Sequence, residues 1–575
     1  MLRRIFSYMK EYKKYAWLAL ICIGVEVVLE IMVPKLMADL IDIGVTNSDV
    51  PYIINKGIQM AVCAVAALIL GVGSARFSAL AGQGLGANIR KAEYEKLQSY
   101  SFSNIDHFSV SSLVTRLTSD VTNIQNAVST GMRPFGRSPV MLIFATTLAF
   151  KINSTLALVF LVALPVLAVL LIIIIINVGP RYGRMQGAVD LVNRCIEENL
   201  TAVRVVKSYV RGDYEIEKFG HVNDNLKNES EKAFGIAVLN MPAMQFVMYS
   251  TILGILLIGG RLINSGQMMI GQLTSFLSYV LLILNSLMMM SNVFLLMTRS
   301  LASAERIMKV IDEPIDITDE NAKDIEVKNG EIEFNHVWFK YKDTAKEYVL
   351  SDVSFHINAG QTVGIIGQTG SSKTTLIQLI PRLYDASKGE IKIDGINVKE
   401  YPVRHLRDAI SVVLQKNTLF SGSLIDNLRW GDENATLDEI KEACSIACVD
   451  EFIDRLPRGL DAEMGQEGVN VSGGQKQRIC IARAILKKPK VLILDDSTSA
   501  VDTATEGKIR NALAKKLPDM TKIIIAQRIS SVRHADQIII MDGGRVDAIG
   551  THESLLKTNK IYQEIYESQK EGADL

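Results

Sequence analysis

Residues 362–375 read TVGIIGQTGSSKTT and decide the fold of the second half of this chain. The apolar run that ends at Ile366 predicts a buried strand, and a helix is predicted from near Thr375. The loop between them consists of Gly367, Gln368, Thr369, Gly370, Ser371, Ser372, Lys373 and Thr374. A glycine-rich turn between a strand and a helix presents backbone N–H groups and a helix N-terminus to phosphate. The stretch therefore predicts a phosphate-binding loop (P-loop) in an α/β domain.

Three side chains of this loop have predicted roles in holding ATP and Mg²⁺. We expect Lys373 to neutralise the β- and γ-phosphate oxygens and Thr374 to ligate Mg²⁺. Ser372 stands where the motif has its last glycine. Either its Cβ crowds the loop and weakens nucleotide binding, or its hydroxyl adds a hydrogen bond.

The composition of the chain bounds its architecture. With 575 residues, at least two domains are expected. Lys plus Arg and Asp plus Glu number 62 each, so no charge excess indicates a nucleic-acid partner. The apolar residues concentrate in the first 300 or so positions. We predict an all-α transmembrane domain at residues 1–310, a linker at 311–328 and an α/β nucleotide-binding domain at 329–575.

Six membrane spans are predicted from apolar runs, of which the third is too short in uncharged residues to establish a span by its length alone. They are Tyr15–Leu40, Gly57–Ala75, Ser138–Phe150, Thr155–Val178, Ala233–Gly260 and a part of Leu262–Thr298. The long segments Arg76–Arg137 and Gly179–Lys232 are rich in Arg and Lys, which predicts that they face the cytoplasm. The basic N-terminus is expected on the same side.

Two features of the spans are candidates for contact with cargo. Glu26 and Glu30 lie one turn apart in the first span, where they either bind cationic cargo or hydrogen-bond to neighbouring helices. The fifth and sixth spans hold many methionines, which suit a promiscuous apolar surface but are also ordinary filler of a membrane bundle.

Further motifs accompany the P-loop in a fixed order along the chain. They are Tyr341, Gln415 in Val413-Leu414-Gln415-Lys416, the run Val471-Ser472-Gly473-Gly474-Gln475, Asp495 after an apolar strand, and Ser499-Ala500-Val501-Asp502. This set resembles the ATPase domain of ABC transporters, and with the predicted spans the chain resembles a type IV ABC exporter half-transporter.

The resemblance implies a role for each motif. Tyr341 would stack on adenine, Gln415 would reach Mg²⁺, and Asp495 would hold Mg²⁺ directly or through water. Ser472, Gly473, Gly474 and Gln475 would form the signature that binds the γ-phosphate of ATP on another subunit, and Asp502 would belong to the D-loop. The resemblance also places short docking helices in the cytoplasmic loops, near residues 106–113 and 211–217.

Two residues depart from the family pattern at the positions of the catalytic base and the switch. Asp496 stands where the family has Glu, and Gln527 stands where it has His. Since the shorter carboxylate is displaced and Gln carries no titratable proton, this chain's own site is expected to bind ATP and hydrolyse it poorly. The pairing resembles one arm of bacterial heterodimeric multidrug exporters; the alternative is a homodimer in which Asp496 acts as a slow base.

The resemblance implies export of small amphiphilic or drug-like compounds across the bacterial plasma membrane, in contact with membrane lipids and with the ATPase domain in the cytoplasm. Lipid or peptide export remains open, and so does a nucleotide-gated channel or regulatory membrane subunit.

Overall fold

The computed structural model describes residues 2–342, 344–496 and 501–571. The chain forms two compact units. The first comprises Met1–Leu97 and Ser111–Asp312, and the second comprises Gln98–Val110 and Glu313–Leu575. A short piece of the N-terminal half, residues 98–110, thus belongs to the second unit.

The N-terminal half is helical. Its helices are α1 (Leu2–Ser7), α2 (Lys13–Asp39), α3 (Val50–Gln98), α4 (Phe102–Asp106), α5 (Val110–Thr115), α6 (Val121–Ser129), α7 (Met132–Ile152), α8 (Ser154–Thr201), α9 (Val203–Ser208), α10 (Gly212–Ala237), α11 (Asn240–Asn264) and α12 (Ile270–Asp312). A 3₁₀ turn (Lys10–Tyr12) and two π-helical turns (Leu40–Val45 and Arg116–Asp120) lie between them.

The six predicted spans fall mainly on α2, α3, α7, α8, α11 and α12. Among the described residues, five helical stretches are long and apolar enough to cross a membrane, and Ile270–Ser286 of α12 is a shorter apolar stretch. Helix α3 has 49 residues and is therefore about 74 Å long at a rise of ~1.5 Å per residue. Since a span needs only about 20 residues, α3 extends well beyond a bilayer.

The first unit buries two apolar clusters. One cluster packs α2, α7, α8, α11 and α12 together, and the buried Tyr279 hydroxyl donates to the Ile31 carbonyl at 3.0 Å. The other cluster joins α1, α3, α6 and the end of α12. There α3 approaches the N-terminal segment so closely that a Cβ at Gly84 would lie 2.3 Å from the Tyr12 ring.

The second unit contains two larger sheets. Its strands are β1 (Ile332–Phe339), β2 (Leu350–Ile357), β3 (Thr362–Ile366), β4 (Lys388–Ile393), β5 (Ile396–Asn397), β6 (Ile410–Val413), β7 (Gly422–Ser423), β8 (Glu463–Met464), β9 (Val491–Asp495), β10 (Thr521–Ile525), β11 (Gln537–Asp542) and β12 (Arg545–Gly550). The six-stranded sheet has the order β12-β11-β3-β10-β9-β6 and is parallel except for β12, and β2-β1-β4-β5 form an antiparallel sheet.

The helices of this unit are α13 (Lys373–Leu379), α14 (Val403–Asp408), α15 (Leu424–Arg429), α16 (Leu437–Ile446), α17 (Asp450–Ile453), α18 (Gly473–Leu486), α19 (Thr503–Lys516), α20 (Ile529–Val532), α21 (His552–Thr558) and α22 (Lys560–Glu571). Short 3₁₀ turns occupy Val398–Glu400, Gly459–Asp461 and Gln466–Gly468. Because β3, β6, β9 and β10 are parallel, the residues that follow them meet at one edge of the sheet, where ligands of such sheets bind.

The segment 98–110 is fastened to the rest of the second unit through α4. Ser101 caps this helix and its hydroxyl bonds to Asp316, while Asn104 donates to the Pro314 carbonyl at 2.8 Å. The Tyr384 hydroxyl donates to Asp106 Oδ2 at 2.7 Å. The docked helix therefore ends where the predicted range 106–113 begins. In the other loop, the predicted range 211–217 falls at the start of the long helix α10, and the short helix there is α9.

Candidate nucleotide-binding site

The P-loop forms between β3 and α13, as the sequence predicts. The Lys373 ammonium lies inside it and donates to the carbonyls of Gly367 and Gln368, each at 2.8 Å, and to Ser371 Oγ at 3.2 Å. A cavity of about 320 Å³ opens beside the loop. It is lined by Thr369, Gly370, Ser371, Ser372, Lys373, Thr374, Thr375, Gln415, Asp495, Asp496, Ile525 and Gln527. The cavity thus gathers six of the eight predicted loop residues, 369–374, with four residues predicted from later motifs, whereas Gly367 and Gln368 contact Lys373 without lining the cavity.

Ser372 occupies a left-handed backbone position, with φ of 68° and ψ of 23°. A residue with a Cβ takes this conformation at a cost of roughly 1–2 kcal/mol, which explains why glycine is usual there. The Ser372 side chain makes no capping hydrogen bond to α13. The substitution thus adds local strain while the loop keeps its shape.

Asp495 ends β9 and is 1% exposed. Its Oδ1 accepts a 3.3 Å hydrogen bond from the Thr374 hydroxyl. Its Oδ2 is buried and has no hydrogen-bond partner within the described part of the chain. A buried, unsatisfied carboxylate oxygen beside a hydroxyl fits Mg²⁺, which prefers oxygen ligands, and Gln415 lines the same cavity.

Asp496 and Gln527 contact each other directly. Asp496 follows β9 and Gln527 follows β10, so the parallel pairing of these strands brings the two together. The Gln527 Nε2 donates to Asp496 Oδ2 at 2.9 Å. Asp496 has a φ of 46°, again in the left-handed region. The departures at the positions of the base and the switch thus form one hydrogen-bonded pair at the edge of the cavity.

Burial dominates the electrostatics of this cavity. It raises the pKa of Asp495 and of Asp496, although the hydrogen bonds from Thr374 and Gln527 oppose the change. Burial lowers the pKa of Lys373, against the attraction of both carboxylates. Charges in so poorly solvated a site interact more strongly than they would in water.

Tyr341 lies on the outer side of α13. Its hydroxyl shares a 2.9 Å hydrogen bond with Thr375 Oγ1, and its ring packs edge-on against Tyr384 at 5.2 Å between centroids. The residue is 42% exposed, so part of its side chain is accessible to a ligand.

The signature forms the start of α18. Ser472 caps this helix by accepting from the Gln475 backbone N–H, and the Gln475 side chain accepts in return from the Ser472 N–H at 2.9 Å. This capping box leaves the amides of Gly473 and Gly474 at an accessible helix N-terminus, where an anion can bind. The signature residues do not line the P-loop cavity of their own chain.

The predicted D-loop is only partly described. Ser499 and Ala500 lie outside the described residues. Asp502 caps α19, with its Oδ1 accepting from the Thr505 N–H at 2.9 Å.

Glu26 and Glu30 are ion-paired inside the first unit. Arg133 Nη2 lies 2.6 Å from Glu26 Oε1, and Arg137 bridges both carboxylates at 3.2 Å and 2.6 Å. These arginines belong to α7, so α2 and α7 neutralise each other's charges. The pairing favours the alternative of hydrogen bonding between helices over a free anionic contact for cationic cargo.

Sequence reasoning missed Gln569, which contacts the residues that follow β10. Its side chain bonds to the Gln527 carbonyl and to the Ile529 N–H. The sequence signal that could have found it is weak. Gln569 follows Tyr562 by seven residues and Tyr566 by three, so the three side chains share one face of α22.

Two family models match the chain, one in its N-terminal half and one in its C-terminal half. The model described as ABC transporter transmembrane region matches residues 16–287, and the model described as ABC transporter matches residues 350–499. The uncharacterized ABC transporter ATP-binding protein YfiB of Bacillus subtilis (strain 168) is 37% identical over 575 residues, which cover 100% of each chain. The chain belongs to the ABC transporter family. It is an ABC-type ATPase whose membrane and ATPase parts are joined in one chain, as in ABC exporters.

Other relatives of this ABC transporter carry functional names. An ATP-dependent lipid A-core flippase of Pseudomonas putida is 32% identical, and the match covers 98% of this chain and 95% of the flippase. YgaD of Bacillus subtilis, named as a candidate multidrug export ATP-binding/permease protein, is 31% identical, with coverage of 84% and 83%. The structure of a bacterial Atm1-family ABC exporter with ATP bound shares the fold, with a TM-score of 0.83 at 22% identity over 97% of this chain and 99% of that one.

Proposed function

We propose that this ABC transporter is one half of a heterodimeric exporter, and that its own P-loop site holds ATP but hydrolyses it slowly. The observation that carries the proposal is the 2.9 Å hydrogen bond between Asp496 and Gln527. It occupies one carboxylate oxygen of the residue that would activate the attacking water.

The geometry disfavours hydrolysis for two reasons. An Asp carboxylate lies about 1.5 Å nearer the backbone than a Glu carboxylate would, the length of one C–C bond. A displacement of about 1 Å can cost on the order of 100-fold in rate. The carboxamide of Gln527 can donate a hydrogen bond to a phosphate, but it cannot carry a charge as a histidine can.

The same site is suited to retain ATP with Mg²⁺. Lys373 would meet the β- and γ-phosphates, and Thr374 and Asp495 would hold the cation with Gln415 nearby. Mg²⁺ bound there would neutralise phosphate charge. Tyr341 would stack on the adenine ring.

The signature provides the link to a partner. Ser472 and the two glycines after it form an accessible helix start, apart from the P-loop cavity of their own chain. We propose that they complete the P-loop site of a second half-transporter that has Glu and His at the positions of Asp496 and Gln527. In that arrangement the partner's site hydrolyses ATP, and this chain's site retains its ATP and hydrolyses it only slowly.

The proposed cargo is a small amphiphilic or drug-like compound. A cavity of about 310 Å³ in the first unit is lined by Met241, Met244 and Met248, with Gln245 and Asn285 as polar groups. Flexible methionines suit varied apolar cargo. One relative is named as a lipid A-core flippase and another as a multidrug export protein, and both names support an amphiphilic cargo in general. A lipid is the second candidate for the cargo. We place the protein in the bacterial plasma membrane with its ATPase unit in the cytoplasm.

The test compares hydrolysis with ATP retention in the purified full-length chain. We expect slow ATP turnover together with retention of radiolabelled ATP, and loss of retention in Lys373→Ala. Rapid hydrolysis by the chain alone would instead identify a working homodimer. Uphill, ATP-dependent uptake of a fluorescent amphiphile by inverted vesicles is expected once a partner half-transporter is present, whereas single-channel current would indicate a gated channel.

A further inference from the structure

The side chain of Gln569 fastens the C-terminal helix α22 to the loop that carries Gln527. Its Nε2 donates to the Gln527 carbonyl at 2.7 Å, and its Oε1 accepts from the Ile529 N–H at 2.9 Å. Both ends of one carboxamide are therefore used on the backbone of one short segment. The second bond also satisfies an N–H at the start of α20, where a helix leaves its first N–H groups without internal partners.

The helix that carries Gln569 is itself firmly docked. Tyr562 is fully buried, and its hydroxyl bonds to His552 Nδ1 at 2.7 Å. Tyr566 packs against the same apolar core. Residues 562, 566 and 569 follow the i, i+4, i+7 spacing of one helix face. Gln569 thus reaches the loop from a rigid support.

The contacts continue from this support to the cavity. Gln569 fixes the backbone of Gln527, and the Gln527 side chain donates to Asp496 at the edge of the P-loop cavity. The two bonds from Gln569 lie on either side of Arg528, so the loop between β10 and α20 is held at two points.

We infer that Gln569 is a positioning residue for the nucleotide site: it holds Gln527 where its carboxamide contacts the γ-phosphate and so slows the release of ATP. The inference rests on the proposed retention of ATP at this site. Gln569 does not touch the nucleotide and acts only through Gln527. ADP lacks the γ-phosphate, so its release is independent of Gln569.

The test measures release of the nonhydrolysable analogue AMP-PNP and of ADP from the purified full-length chain. Gln569→Met keeps the length and helix propensity of the side chain and removes both hydrogen bonds. We expect AMP-PNP to leave about tenfold faster, which corresponds to about 1.4 kcal/mol, and ADP release to stay unchanged. The acceleration is expected to vanish when Gln569→Met is added to Gln527→Ala, because the two act in series.

Gln563→Met is the matched control. Gln563 lies on the same helix and donates to the Leu556 carbonyl at 2.7 Å, so this change loosens α22 without touching the Gln527 loop. Equal acceleration by the control, faster ADP release, or an additive effect with Gln527→Ala would overturn the inference. If AMP-PNP release is slow and Gln569→Met does not change its rate, the inference is overturned but the proposed function stands. Rapid ATP hydrolysis by the unmodified chain would count against the proposed function alone, since AMP-PNP release is read without hydrolysis.

Discussion

Introducing glutamate at position 496 and histidine at position 527 should turn the proposed ATP-retaining site into one that hydrolyses ATP. We consider Asp496→Glu, Gln527→His and the two combined. In the structure the Gln527 Nε2 lies 2.9 Å from Asp496 Oδ2, so the present pair is held together by one hydrogen bond. The double change replaces this pair with a longer carboxylate and a titratable imidazole.

The expected gain in kcat follows from the reach of the carboxylate and from the charge that an imidazole can carry. Glutamate extends the carboxylate by about 1.5 Å, one C–C bond. Correcting a misplacement of about 1 Å is worth on the order of 100-fold in kcat. The imidazole introduced by Gln527→His can carry a positive charge towards the transition state, which the carboxamide cannot, and this adds a further factor of roughly 100. We expect Asp496→Glu alone to raise kcat by about 100-fold and the double variant to raise it further.

The assay is release of inorganic phosphate by the dimeric fraction of the full-length chain in lipid nanodiscs. In the proposed arrangement the signature completes a partner's site, so each copy in a dimer of this chain would complete the other copy's site. Asp496→Asn, which keeps the side-chain length and removes the charge, is the matched control and should show no gain. A double variant that dimerises, binds AMP-PNP as tightly as the parent and gains no hydrolysis would refute the reasoning.

Three further predictions concern the cap, the membrane ion pairs and pH. Ser472→Ala and the control Thr551→Ala each remove a helix cap and should each lower the free energy of unfolding by about 1 kcal/mol, measured by thermal unfolding. Only Ser472→Ala should abolish the hydrolysis that the Asp496→Glu, Gln527→His dimer gains. An equal loss of hydrolysis in both variants would contradict the proposed role of the signature. Arg137→Leu removes one of the two arginines that neutralise Glu26 and should lower the free energy of unfolding by about 3 kcal/mol, measured by thermal unfolding in detergent. The loss should be smaller when Glu26→Gln is added, because the unpaired charge is then removed. Burial raises the pKa of Asp496, so just above the ordinary value of 3.8 this carboxyl binds more protons in the folded state than in the unfolded state. Its contribution to stability should therefore fall as pH rises above that value, and Asp496→Asn should make the slope of stability against pH more positive there. A slope that Asp496→Asn leaves unchanged would contradict this prediction.

Local patterns predicted the strand, loop and helix around the P-loop because this structure is encoded in a short motif. The P-loop lies between a strand and a helix, as the glycine spacing predicts, and Asp495 ends a buried strand. The lengths of the helices were harder to predict from the sequence. A polar segment such as the end of α3 has the same pattern whether it continues a membrane span or forms a separate helix. The predicted domain boundaries stay predictions. The segment 98–110 belongs to the second unit because it contacts residues that are distant in the sequence, as Asp106 contacts Tyr384.

The sequence by itself determined that this chain is a fused membrane and ATPase protein, because apolar runs and phosphate-binding loops depend on residues that are adjacent in the chain. It also revealed the two departures, Asp496 and Gln527, one at a time. Only the tertiary structure decided that they bond to each other, since that contact depends on the parallel pairing of β9 with β10. The ion pairing of Glu26 and the reach of Gln569 to the Gln527 loop have the same origin, because each joins residues that are distant in sequence and meet only when helices and strands pack.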